Sequence, residues 1–174
     1  VDAIKLGQQV EELDIGWFEE PVAPEDLDGY CAIKAAINIP LAGGECEYTR
    51  FGFREILRRR AIDYLQPDTA AAGGLSECKK IADMANAFGV RYVPHVWGSG
   101  IGLAAALQLL AVLPHNPPGR RPWEPLLEFD RSEHPFRQAI MKKPIEHANG
   151  VVTIPDGPGL GIEIDRDALE SFKN

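Results

Sequence analysis

Five side chains able to hold a charge or move a proton recur along this chain: Glu19, Glu45, Asp68, His95 and Glu128. They are separated by roughly 23 to 33 residues, and each closes a short apolar run: "IGWFE", "IPLAGGE", "AIDYLQPD", "VRYVPH" and "PLLE". A carboxylate at the end of an apolar run needs water, a cation or hydrogen-bond donors, because burial without them is costly. Two carboxylates brought together, Glu19 and Glu45, suit a hard divalent cation that prefers oxygen ligands, and Mg²⁺ is the expectation. An Asp next to a His suits a general base whose tautomer is fixed by a carboxylate, which is the expectation for Asp68 and His95. Glu128 would exchange a hydrogen bond with a developing oxyanion. Glu20 follows Glu19 directly, so strand alternation is expected to turn it to the opposite face, in a structural or supporting place. Trp97 follows the His and is expected to line the pocket.

Each of these residues needs an element to position it. Ala3, Leu6, Val10 and Leu13 are spaced three and four apart, which predicts a helix over residues 1–13. Short strands are expected at 15–19 (buried), 39–45, 61–68, 90–97 and 125–129. Helices are expected at 25–37, from Thr49 as N-cap to Arg60, from 73 to Gly89 as the terminating glycine, and at 100–113, stopped by Pro114. In the fourth, Leu75, Cys78, Ile81, Ala82, Ala85 and Phe88 fall on one face. Gly43 and Gly44 would let a ligand approach the backbone closely. Gly73 and Gly74 would make a strand-to-helix turn. A loop rich in Pro and Arg fills 114–125, and a Pro/Gly-rich tail ends in a helix from Asp167. Strands alternating with helices imply parallel pairing, as a doubly wound sheet or a (β/α) barrel. One βα unit takes about 30 residues. The five groups therefore recur once per unit at the carboxyl ends of strands, where a barrel gathers its active site. Neither GxGxxG nor GxxxxGK[ST] follows a strand, so nucleotide-binding readings lack their main support.

The chain has 174 residues, 45% hydrophobic and 25% charged, with a formal net charge of -8. That size and balance fit one ordinary globular domain. Apart from Arg58–Arg60 and the pair Arg120, Arg121 there is no basic cluster, so nucleic acid is not an expected partner. No run is long and apolar enough to suggest a membrane span. Cys31, Cys46 and Cys78 are widely spaced, with no CxxC pair, and are expected as free thiols in a reducing cytoplasm. His115, His134 and His147 are expected at the surface. The opening "VDAIKLGQQV" has no signal-peptide pattern, lacks an initiator Met and reads as the inside of a helix. A piece of a longer chain is expected.

Taken in order, "WFEEP", "GGE", "YLQPD", "GG", "VPHVW" and "LLEFD" resemble the enolase superfamily, in its mandelate racemase/muconate lactonizing enzyme branch. The text around "RSEHPFR" and "GVVTIPDGPGLGIEID" is most similar to that branch's acid-sugar cycloisomerases and dehydratases. The resemblance implies an α/β fold, the C-terminal portion of a modified (β/α)₇β barrel. Residues 1–129 would supply βα units four to eight, and 130–174 a tail returning toward the capping domain. It also implies Mg²⁺-dependent removal of a proton alpha to a carboxylate of a sugar acid or its lactone, through an enediolate. Glu19 and Glu45 would be metal ligands, His95 the base or acid, Asp68 its partner, and Glu128 the acid facing the substrate carboxylate. A homo-oligomer is implied as well. The family's first Asp ligand and its Lys-x-Lys motif would lie before Val1, as would most of the capping domain. A racemase or epimerase of the same branch, or a non-catalytic piece, are the rival readings.

Overall fold

The computed structural model describes residues 1–113 and 123–173. Four two- or three-residue strands, β1 (Phe18–Glu19), β2 (Leu41–Gly43), β3 (Tyr64–Leu65) and β4 (Arg91–Tyr92), form one parallel sheet in the order β1-β2-β3-β4. Phe18 pairs with Leu41, Ala42 with Tyr64, and Tyr64 with Arg91. Parallel neighbours need crossovers, and here each is a helix. These are α2 (Leu27–Ala36), α3 (Thr49–Arg59) and α4 (Gly74–Phe88), preceded by α1 (Asp2–Val10) and followed by α5 (Gly100–Val112). Each helix packs on the next, from α1 to α5. The helices therefore share one side of the sheet. Sequential strand order with helices on one side is the pattern of a barrel wall, and it excludes the doubly wound alternative.

The core fills the space between the sheet and this helical layer. Leu41, Phe53, Leu57, Leu65, Cys78, Ile81 and Ala85 are fully buried there. The apolar α5 is used on two sides. Leu109 and Leu110 join the main core, while Leu103, Ala104, Ala106 and Leu107 join a second cluster with Ile140, Met141 and Ile145 of the tail. A helix apolar all round is expected where both sides are covered. The tail adds α6 (Pro135–Gln138), a hairpin of β5 (His147–Ala148) and β6 (Val151–Val152), and α7 (Arg166–Ser171). Among the described residues no helix is long and apolar enough to cross a membrane, and the three cysteines are free.

Several local expectations are corrected. The first strand is neither as long nor as buried as its apolar run suggests: Ile15 is 37% exposed, because β1 is an edge with a neighbour on one side only. The helix expected over 1–13 is α1 as far as Val10 and then a single 3-10 turn over Glu11–Leu13; Ala3, Ile4, Gly7 and Val10 face the core, while Leu6 and Leu13 are exposed. Gly7 sets this rotation, since a Cβ there would lie 2.8 Å from Ile37 Cδ1. Leu75 and Phe88, at the ends of α4, are also exposed. Thr49 is not a cap. It is the first residue of α3, at φ 56°, behind Tyr48. The work of a cap falls to Glu77 of α4, whose Oε1 accepts from the Arg50 N–H at 2.9 Å and whose carboxylate also holds the Arg50 guanidinium. The last helix starts one residue earlier than expected, with Asp165 capping the Ala168 N–H. Residues 125–129 form no strand, although the segment passes close to β4. Pro114, His115 and the Arg120–Arg121 pair lie outside the described residues.

Phe53 is wholly buried at the centre of the main cluster. Phe53→Ala is expected to lower the unfolding free energy by about 3–5 kcal/mol, measured by chemical denaturation.

Candidate active site

The carboxyl ends of the strands carry the chemistry. Asp68 and His95 form a parallel bridge just beyond β3 and β4, so backbone pairing itself sets the two side chains next to one another. Asp68 Oδ2 lies 2.9 Å from His95 Nδ1. The other Asp68 oxygen accepts the backbone N–H groups of Ala70, at 2.6 Å, and Ala71, at 3.2 Å. Burial alone would raise the Asp68 pKa, but the His95 bond and these two N–H groups outweigh it and hold the carboxyl below its ordinary value. With Asp68 an acceptor at Nδ1, the imidazole proton sits there, and Nε2 is left as the basic nitrogen. Nε2 lies 3.1 Å from Glu45 Oε2. The Asp68 bond, above all, raises the His95 pKa. The charges of Glu128 and Glu45 add to this against the opposing effect of burial.

Glu45 comes to this point through a tight turn after β2. Gly44 has φ 124°, and a Cβ there would lie 2.9 Å from Phe53. At Gly43 a Cβ would lie 3.0 Å from the Tyr30 hydroxyl. Packing against Phe53 and Tyr30 thus accounts for both glycines, rather than the close ligand approach expected from sequence. Glu128 reaches in from the extended 125–129 segment. Its Oε2 accepts the Val96 N–H at 2.8 Å, and burial first, then nearby acids, raise its pKa. Trp97 stands two residues past His95, 66% exposed, with its ring edge-on to His134 at 6.0 Å.

Glu19 and Glu20 take different surroundings at the end of β1. Glu19 Oε2 accepts from Trp17 Nε1 at 2.8 Å and from Gln66 Nε2 at 2.9 Å. Glu20 turns to the opposite face, as expected: its Cγ lies where a side chain on Gly43 would also meet the Tyr30 hydroxyl of α2. It lies just beyond β1 with φ 37°. Ligand atoms of Glu20, Glu45 and Cys46 lie within 4.8 Å of one another. Glu20 Oε1 is buried with no hydrogen-bond partner among the described residues. Burial, then the charge of Glu45, raises the Glu20 pKa, and the Cys46 thiol is raised by burial and by Glu20 and Glu45. The structure therefore brings Glu45, Asp68, His95 and Glu128 together, sets Glu19 within reach of the charge of Glu128, and adds Glu20 at the strand ends. Sequence reasoning did not single out Cys46, Gln66 or Trp17. Two signals were available: Gln66 is a polar residue within a buried run, and Trp17 shares a strand face with Glu19.

A parallel barrel wall with acids and a histidine at successive strand ends defines a (β/α)-barrel enzyme fold. The family model for "Enolase C-terminal domain-like" proteins matches residues 1–168, and the chain belongs to that family. It is 54% identical over 172 residues to D-galactarolactone cycloisomerase from Agrobacterium fabrum, covering 99% of this chain and 46% of that protein. It is 37% identical to arabinonate dehydratase from Saccharolobus solfataricus, covering 99% and 44%. The crystal structure of the 3,6-anhydro-D-galactonate cycloisomerase from Zobellia galactanivorans superposes with a TM-score of 0.88 at 43% identity, covering 98% of this chain and 46% of that one. The chain thus spans less than half the length of these relatives.

The Asp68–His95 pair makes stability depend on pH. A raised His95 pKa contributes stability fully below about pH 6.5, and this is lost as pH rises through the raised value. A lowered Asp68 pKa contributes above about pH 3.9, lost as pH falls through the lowered value. Asp68→Asn should therefore destabilise the metal-free protein most between about pH 4 and 6.5, and should lower the His95 pKa. Denaturation at several pH values and imidazole NMR titration measure the two effects.

Proposed function

We propose that this chain carries the proton-transfer half of an acid-sugar cycloisomerase or dehydratase, with His95 taking or returning the proton alpha to the substrate carboxylate. The observation that carries this reading is the His95–Asp68 pair, with Nδ1 bonded to Asp68 and Nε2 directed among the strand-end acids. Asp68 would hold the tautomer and steady the imidazolium that forms when Nε2 takes the proton. Glu128, with its pKa raised, would give a hydrogen bond to the substrate carboxylate. Trp97 would form part of the wall of the mouth.

The donor set fits a divalent cation. The oxygens of Glu20 and Glu45 are hard ligands that crowd together, and the buried Glu20 Oε1 has no donor to satisfy it. Mg²⁺ is the natural occupant, and Glu45 and Glu19 would hold it. When bound it would acidify the alpha C–H by drawing charge from the carboxylate. The likeness to a D-galactarolactone cycloisomerase supports a sugar-acid lactone as substrate, and the likeness to arabinonate dehydratase keeps an open-chain sugar acid in view.

Incubating the protein with galactarolactone, galactonate or arabinonate and Mg²⁺ in D₂O tests the reading. Loss of the alpha proton and of the beta oxygen leaves an enol that becomes a ketone at the alpha carbon, so solvent deuterium should enter the product at the adjacent carbon, and His95→Asn should reduce this exchange by about 10²- to 10⁴-fold. Product mass separates the two reactions, since dehydration removes one water and isomerisation none. Exchange unchanged in His95→Asn would overturn the role given to His95. Glu45→Gln should weaken Mg²⁺ binding by calorimetry, and an unaltered titration would remove Glu45 from the ligands.

A further inference from the structure

Glu19 ends β1. Two N–H donors meet on one of its oxygens. Gln66 Nε2 and Trp17 Nε1 both donate to Oε2, at 2.9 and 2.8 Å. Each donor is itself fixed. Gln66 is only 2% exposed, and its backbone N–H donates to the Gly43 carbonyl at 2.8 Å. The Trp17 ring rests on Tyr64 of β3, with centroids 5.4 Å apart. A buried glutamine needs partners for its amide, yet an apolar residue would have filled the same space. Both donors are neutral. An Arg or Lys in their place would also have fixed Glu19, but it would have cancelled the charge.

We infer that Gln66 and Trp17 form one positioning device for Glu19. Together they occupy Oε2 and aim the carboxylate, leaving Oε1 and the full negative charge for a divalent cation. The inference rests on the reading of Glu19 as a metal ligand given above. Hydrogen-bond partners that orient a metal ligand typically change metal affinity by about 10- to 100-fold when removed. The two donors share a single oxygen, so their effects are not independent.

The test is a calorimetric Mg²⁺ titration of the protein and of four variants, with a melting curve for each. Trp17→Phe keeps the ring on Tyr64 and removes the N–H. Gln66→Met keeps the volume and removes the amide. Each should weaken Mg²⁺ binding about tenfold, with Trp17→Phe melting close to the parent, and the double variant should lose less than the product of the two. Glu19→Gln is the fourth variant and should weaken binding at least as much. Weakened binding in Glu19→Gln with unchanged binding in Trp17→Phe and Gln66→Met would overturn the positioning role. Unchanged binding in Glu19→Gln would overturn the ligand assignment, and the inference with it. Should Gln66→Met fail to fold, Trp17→Phe alone decides.

Discussion

Crowding of like charge is the constraint around which this molecule is arranged. Glu20, Glu45, Asp68 and Glu128 all act on the environment of one imidazole, that of His95. Carboxylates gathered in partly buried space repel one another, and each must find a donor, a cation or a proton. Asp68 finds three N–H groups and keeps its charge. Glu128 finds a single backbone N–H and is driven toward its protonated form. Glu20 has an oxygen with no donor. Asp68 and Glu128 thus shift in opposite directions, according to the donors each is given.

Parallel strands make this crowding possible. Every strand in a parallel sheet ends on the same side, so residues far apart in sequence arrive at one edge. The Asp68–His95 bridge is the clearest instance, since backbone pairing continues past the strands proper and carries the two side chains into contact. The helical layer supports the edge from behind. Phe53 of α3 packs under Gly44 and fixes the turn that presents Glu45, while Glu77 of α4 secures the start of α3 through Arg50. Glu45, Asp68 and His95 are therefore positioned from the core outward, while Glu128 comes from an irregular segment and is tied to Val96.

Much of this was legible from spacing alone. An apolar run, a charged residue at its end and a repeat near the length of one βα unit located Glu45, Asp68, His95 and Glu128 without any contact information. What could not be read were the features decided by tertiary packing. Thr49 is a good capping residue by type, but a carboxylate from the next helix took that place. Alternation gave the face of Glu20 correctly, but not that its carboxylate would gather with Glu45 and Cys46 beyond the strand end. The run at 125–129 has strand character, yet no regular ladder forms there. Trp17 and Gln66 are 49 residues apart, and their meeting on Glu19 follows from β1 and β3 flanking β2, which only the sheet order reveals.

The bond from the Val96 N–H to Glu128 has a consequence for reading kinetics. Val96 follows His95 directly, so this carboxylate is also a peg for the peptide that carries the imidazole. Any replacement at position 128 changes an acidic group and, with it, the aim of the neighbouring ring. A fall in rate after such a replacement is then a composite of two losses. The pair has to be separated by substituting positions 95 and 128 singly and together, in the manner of a thermodynamic cycle.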